Sequence, residues 1–127
     1  MLQSVQIARY IISFSWIYHG IFPKIVQIAP LEMLMSSSAG LSEEATYFLI
    51  KSAGVIEISW GALFFALYKS RTVLYLNITA LIGLLAAVAV MQPQLLMEAF
   101  NPVTTNIPLI ALSFIILKEI SASVDNI

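Results

Sequence analysis

The stretch Ala53-Gly54-Val55-Ile56-Glu57-Ile58-Ser59-Trp60-Gly61 places a carboxylate inside a long apolar segment. The surrounding run, from Phe48 to Tyr68, is long enough to cross a bilayer as a helix. An ionisable group at membrane depth is costly unless it is paired, protonated or hydrated, so Glu57 is a candidate functional residue. The alternative is an inert interhelical hydrogen bond, and this segment alone favours neither role.

Two glycines share a helical face with this carboxylate. Gly54 precedes Glu57 by three residues and Gly61 follows it by four, spacings that place all three on one side of a helix. Small residues allow a neighbouring helix to approach closely. The pattern therefore predicts a membrane helix whose carboxylate is enclosed by another helix.

The composition of the whole chain is that of a membrane protein. Of 127 residues, 60% are hydrophobic and 10% are charged. Mean hydropathy is +0.93. Soluble domains carry roughly a quarter charged residues. We expect a single domain over residues 1–127 that is embedded in the lipid bilayer.

Charge and residue usage exclude several functional classes. A net charge of −1 without a Lys/Arg cluster argues against nucleic-acid binding and indicates no head-group patch. The chain has no cysteine, which excludes disulfides, thiol relays and thiolate metal sites. With His19 as its only histidine, we predict no metal site, and a redox role would require a bound cofactor or partner.

Four apolar segments predict four membrane spans. They cover residues 5–22, 48–68, 73–91 and 102–120. Short connections between them favour an all-α, integral membrane, antiparallel four-helix bundle. The segments 31–35 and 95–100 are apolar but too short to span, so we expect short interfacial helices there, on the outer side.

Local signals place the ends of these helices. Pro23 should end the first helix and favours an extended conformation at Phe22. Ser42, followed by two glutamates, is a typical N-cap for the second helix. In the third span, Ala80, Gly83 and Ala87 form a small-residue face suited to close packing and, with the face on the second span, compatible with a monomer or a homodimer.

The basic residues predict the orientation. With both termini cytoplasmic, Arg9, Lys69, Arg71 and Lys118 lie inside, and Lys24 and Lys51 lie outside. Polar residues of three helices then converge at the outer end. These candidate ligand-binding residues are His19, Lys24, Glu57, Asn101, Thr104, Thr105 and Asn106.

Each candidate also has a structural explanation. Lys24 either pairs with Glu57 or extends to the lipid head groups, and the second is favoured because it is common for lysines at helix ends. His19 is equally suited to proton transfer and to an interfacial position. Asn101 is best explained as an N-cap with Pro102 at the first helical position. Thr104, Thr105 and Asn106 either line an outward cavity or satisfy backbone groups freed by Pro108.

Three blocks, at residues 19–24, 54–61 and 100–106, resemble the DoxX-like family of small four-helix bacterial membrane proteins. The similarity extends from about Ala8 to Lys118, and the Phe-Asn-Pro block at 100–102 is its most specific part. The resemblance implies a location in the bacterial inner membrane. It also implies an association with redox chemistry, because founding relatives are named as subunits of a thiosulfate:quinone oxidoreductase or terminal quinol oxidase of archaea.

Two functional hypotheses follow. The first is an outward-facing polar pocket that binds a quinone-like or lipid-like amphipathic molecule in a redox-linked role. The second is a non-catalytic accessory or anchor subunit of a membrane oxidoreductase complex. Transport is less favoured, because one bundle of this size contains no inverted repeat. The sequence contains no nucleophile–base arrangement of an autonomous enzyme.

Overall fold

The structure, a computed structural model, describes residues 2–26, 40–97 and 101–125. Four long α-helices account for most of them: α1 (Leu2–Gly20), α2 (Glu43–Leu67), α3 (Arg71–Met91) and α4 (Pro102–Asp125). A π-helical turn, Ile21–Val26, follows α1, and a 3₁₀ helix, Pro93–Met97, follows α3. The predicted all-α fold with four helices is confirmed.

Three of the described helices are long and apolar enough to cross a membrane. They are α2, α3 and the part of α4 from Pro102 to Ala122. Helix α1 is outside this set, since Gln3, Gln6, Arg9 and His19 lower its hydropathy. Its predicted span therefore stays a prediction. The predicted interfacial helix at 31–35 lies outside the described residues, as do residues 98–100 of the second one.

Side-chain caps start the three later helices. The Ser42 hydroxyl accepts a hydrogen bond from the Ala45 N–H group at 3.2 Å, which confirms the predicted N-cap of α2. Ser70 caps α3 in the same way, accepting from the Val73 N–H group at 3.4 Å. Each cap satisfies one of the backbone donors that a helix start leaves without a partner.

The end of α1 differs from the prediction. The α-helix stops at Gly20, and Phe22 lies in the π-helical turn instead of an extended segment. The expectation for Phe22 was wrong. Helical backbone that continues past a proline requires a local departure from α geometry, and the π-helical turn is that departure.

By their internal contacts, the residues form two compact units. The first unit consists of Met1–Ile12 with Phe64–Ile127, and the second consists of Ser13–Leu63.

In the first unit, α3 and α4 run antiparallel. Asn77 of α3 contacts Ser113 of α4, and Leu81 contacts Asn106. Buried aliphatic side chains fill the contact, among them Leu74, Ile78, Leu109 and Ile116. The start of α1 lies antiparallel to the end of α2, because Gln6 bonds Tyr68 whereas Arg9 bonds Phe65.

In the second unit, the end of α1 runs antiparallel to α2. A Cβ atom on Gly20 would lie near Gly54 and Ile58, and one on Gly61 would lie near Ile17 and Ser13. The predicted close approach of a helix at Gly54 and Gly61 is thus observed, and the approaching helix is α1. Large apolar side chains are exposed on the outer faces of the helices, as in Phe48 and Ile56, which suits contact with lipid.

Candidate functional site

Two glycines set the separation of α1 and α2. A Cβ atom on Gly54 would lie 2.7 Å from the Gly20 carbonyl oxygen, and one on Gly20 would lie 2.5 Å from the Gly54 carbonyl oxygen. The same added atom on Gly54 would lie 3.0 Å from the Lys24 Cβ atom. Because neither glycine has a side chain, the backbone of α2 reaches the π-helical turn that carries Lys24.

This approach produces an ion pair. Glu57 lies three residues beyond Gly54 on α2, and its Oε2 atom is 3.2 Å from the Lys24 Nζ atom. The side chains are 8% exposed for Lys24 and 14% exposed for Glu57. Lys24 Nζ also donates to the His19 carbonyl oxygen at 3.4 Å, which satisfies an acceptor in the last turn of α1. The pair therefore joins both helices and the turn between them.

The favoured expectation for Lys24 was wrong. It is buried and paired, whereas snorkelling would have placed its ammonium among lipid head groups. The physical reason is distance. The glycine contact brings a carboxylate within reach of Lys24, and a buried cation is much less costly beside an anion than alone.

His19 takes part in the Lys24–Glu57 site through its backbone carbonyl group. Its carbonyl oxygen accepts from Lys24, while its side chain is exposed and lies edge-on to the Tyr18 ring, with ring centroids 6.3 Å apart. The structure thus brings together three of the predicted residues: His19, Lys24 and Glu57.

Asn101 caps α4 as expected. Its Oδ1 atom accepts from the N–H groups of Val103 at 2.9 Å and Thr104 at 3.2 Å. The Thr104 and Thr105 hydroxyls donate back to the Asn101 carbonyl oxygen, at 3.0 and 3.2 Å. These bonds organise the first turn of α4.

Asn106 links α4 to α3. Its Nδ2 atom donates to the Leu81 carbonyl oxygen at 3.1 Å. The side chains of Thr104, Thr105 and Asn106 donate to the carbonyl oxygens of Asn101, Pro102 and Leu81. The Thr105 hydroxyl also lies 3.4 Å from the Asn106 Oδ1 atom, and none of these acceptors is a backbone group freed by Pro108. The convergence of residues 101–106 with the Lys24–Glu57 pair stays a prediction.

A second buried polar link was missed by sequence reasoning. Asn77, completely buried, donates from Nδ2 to the Ser113 hydroxyl at 2.8 Å, and Ser113 donates to the Leu109 carbonyl oxygen at 2.9 Å. Asn77 is a strongly polar side chain in an apolar helix and therefore needs a partner. Asn77 was therefore the signal in the sequence for this link, and the serines of the other membrane helices were its candidate hydrogen-bond partners.

The chemistry available at the Lys24–Glu57 pair is ionic and hydrogen-bonding. An ammonium donates to carbonyl, phosphate or carboxylate oxygens, and a carboxylate accepts from hydroxyl and amine groups. Within residues 2–26, 40–97 and 101–125 there is no group of three or more His, Asp or Glu side chains that could hold a metal ion. The pair is suited to holding the polar end of a molecule.

Comparison with protein-family models finds a match to the DoxX-like family over residues 13–114. That range includes the Lys24–Glu57 pair and the Asn101 cap. Comparisons with curated proteins and with solved structures return no match. Because the family match covers most of the chain, this membrane protein belongs to the DoxX-like family.

Proposed function

We propose that the Lys24–Glu57 pair binds the polar end of an amphipathic membrane molecule that is quinone-like or lipid-like. The observation that carries this proposal is an ion pair at 3.2 Å inside an apolar helix contact, with Glu57 still 14% exposed. An ion pair at such a position is costly to maintain, and charged groups within membrane segments commonly mark binding or transfer sites.

The geometry supports a specific mode of binding. Lys24 holds the His19 carbonyl oxygen at 3.4 Å, near the long limit of a hydrogen bond. A carbonyl or phosphate oxygen of the ligand can replace this weak acceptor while Glu57 keeps the ammonium in position. The exposed apolar side chains of Phe22 and Ile56, close in sequence to Lys24 and Glu57, provide a surface for the hydrophobic tail.

The redox link rests on the family resemblance. Reduction of a quinone takes up two electrons and two protons and yields the quinol. The chain contains no cysteine, so the electrons would come from a bound cofactor or a partner subunit. The role proposed for this chain is to position the quinone head beside Lys24 and Glu57. We place it in the bacterial inner membrane with both termini cytoplasmic.

The test compares wild type with Glu57→Gln. Glutamine keeps the size of the side chain and one oxygen that can accept from Lys24, but it removes the charge. The control is Glu44→Gln, which changes an exposed carboxylate in the first turn of the same helix. Each protein is analysed by native mass spectrometry, with quantification of extracted quinones and lipids, before and after addition of decylubiquinone.

We expect the wild type and Glu44→Gln to retain a bound molecule that Glu57→Gln loses. Glu57→Gln should unfold at a lower temperature, because it removes the carboxylate charge beside the buried Lys24 ammonium, but it should still be folded at the temperature of the binding measurement. Equal retention in all three would overturn the proposal. So would unfolding of Glu57→Gln without a separable defect in binding.

A second candidate function is the accessory or anchor subunit. The observation that favours it is the tight packing around the pair, where Gly54 approaches both the Gly20 carbonyl and Lys24. In that role the pair only joins α1 to α2. The expected result is then an empty protein that co-purifies with another membrane subunit from native membranes, equally in wild type and Glu57→Gln.

A further inference from the structure

A second charged cluster lies in the first unit, at the turn between α2 and α3. The Arg9 guanidinium carbon is 3.7 Å from the centre of the Phe65 ring and 4.3 Å from the centre of the Tyr68 ring. Its Nε atom donates to the Phe65 carbonyl oxygen at 2.8 Å, and Nη1 donates to the Gln6 Oε1 atom at 3.1 Å. Gln6 in turn donates to the Tyr68 hydroxyl at 3.0 Å. These contacts fix the orientation of the guanidinium.

More basic residues lie at the same end of the first unit. The Lys69 Nζ atom is 5.7 Å from the centre of the Tyr68 ring that Arg9 also contacts. Arg71, exposed, begins α3 directly afterwards. The pairing of Asn77 with Ser113 places Lys118 at the same end of the α3–α4 pair. The fold thus gathers basic residues that are far apart in the sequence.

The cluster has no anionic partner in the described part of the chain. No Asp or Glu there forms an ion pair with Arg9, Lys69 or Arg71. Arg9 has five N–H donors, and its bonds within the described residues use two of them. Neighbouring cations repel one another, so an arrangement that holds them together without an acidic residue is suited to an external anion.

The position of the cluster indicates which anion. Residues 68–70 connect two helices that are apolar and long enough to span the membrane, so this turn lies at a membrane–water boundary. A groove along α1 is lined by Gln3, Gln6, Ile7, Tyr10 and Ile11, and Gln6 is the residue that accepts from Arg9. Ile7 and Tyr10 are each 59% exposed. A charged site next to an apolar groove matches a phosphate head group with an acyl chain.

We propose that Arg9, Lys69 and Arg71 form a binding site for the phosphate of an anionic phospholipid. Arg9 presents a fixed guanidinium to the phosphate oxygens, which is the geometry that arginine provides better than lysine. Lys69 and Arg71 add positive charge from the exposed turn. The residues of this site belong to the first unit, whereas Lys24 and Glu57 belong to the second.

The experiment uses the full chain in detergent, stripped of lipid and offered equal amounts of dioleoyl-phosphatidylglycerol and dioleoyl-phosphatidylcholine. Native mass spectrometry counts the adducts of each lipid. The test variant is Lys69→Gln with Arg71→Gln, because both side chains are exposed and their loss should not disturb folding. The control is Lys51→Gln, an exposed lysine near the other end of α2. A further variant, Arg9→Lys, keeps the charge but removes the planar guanidinium.

We expect wild type and Lys51→Gln to prefer phosphatidylglycerol. Since each basic residue near an anionic head group accounts for about a five-fold change in binding, the double variant should lose about 25-fold of this preference. Arg9→Lys should weaken it by a smaller factor without affecting phosphatidylcholine.

Three results would overturn the proposal. They are equal retention of the two lipids by wild type, an equal loss of preference in Lys51→Gln and the double variant, or complete displacement of phosphatidylglycerol by excess inorganic phosphate. The last result would identify a site for free phosphate instead of a lipid.

Discussion

Lys24 and Glu57 depend on each other for their burial. The two charged atoms are 3.2 Å apart and both side chains are largely shielded from solvent. Removing one partner takes the counter-charge away from a largely buried ion, which is more costly than the loss of their attraction alone. Replacing both by apolar side chains removes the charges together and avoids this cost.

This difference predicts the outcome of a double-mutant cycle. Lys24→Met and Glu57→Leu should each destabilise the protein by about 3 kcal/mol, because each leaves one buried charge. The combined variant should be more stable than either single variant. Thermal unfolding in detergent measures all four proteins. If the losses of stability in the two single variants simply add in the combined variant, Lys24 and Glu57 are not energetically coupled.

Asn101 shows how a polar residue with the appearance of a binding residue can serve the start of a helix. Its side chain caps α4 and its carbonyl oxygen accepts from two threonine hydroxyls. The polar run at 101–106 is therefore largely explained by the start of a helix and one link to α3.

A glycine allows close packing of helices only where the backbone of another element lies beside it. Gly54 faces the Gly20 carbonyl, whereas no described atom, apart from the adjoining part of α3 itself, lies within 4 Å of a Cβ atom built on Gly83. Ala80 and Gly83 are exposed. The small-residue face expected to pack closely on α3 is thus not used at Gly83 in the described part of the chain.

Matched alanine substitutions distinguish the two glycines. Gly54→Ala forces its new methyl group against backbone and should cost about 1–3 kcal/mol, the usual range for overpacking. Gly83→Ala should leave stability unchanged or slightly higher, since alanine favours a helix by up to about 1 kcal/mol over glycine. Thermal unfolding in the same detergent compares them. A similar loss in both variants would contradict the assignment of the α1–α2 contact to Gly54.

At the scale of the molecule, the Lys24–Glu57 ion pair increases the difference in positive charge between the predicted outer and cytoplasmic ends of the helices. Among the described residues, Lys24 forms an ion pair with Glu57, whereas Lys51, also at the predicted outer end, is exposed. The opposite end has Arg9, Lys69, Arg71 and Lys118. Because basic residues favour the cytoplasmic side, this distribution supports cytoplasmic termini.

Cysteine labelling tests this orientation directly, because the natural chain contains no cysteine. Leu41→Cys places a thiol before α2 and Thr72→Cys places one in the first turn of α3, both at exposed positions and without changing any charge. In intact cells, a membrane-impermeant maleimide should label Leu41→Cys at once. It should label Thr72→Cys only after permeabilisation. The reverse pattern would mean that the termini lie outside.

Local patterns in the sequence were sufficient to determine the helical membrane fold. Apolar runs of membrane length predicted α2, α3 and α4, and the caps at Ser42 and Asn101 followed from side chains that act within their own helix turn. The same local reasoning identified Glu57, because a carboxylate in an apolar run is costly wherever it lies.

The partners of the charged residues were decided only by the tertiary structure. Lys24 pairs with Glu57 and Arg9 lies between Phe65 and Tyr68, contacts between residues more than 30 positions apart in the sequence. Hydropathy and spacing describe one helix at a time, whereas these contacts depend on which faces of two helices meet and how closely. That separation is set by Gly20 and Gly54 packing backbone against backbone, so the assembled pair of helices, not either helix alone, determines which charges meet.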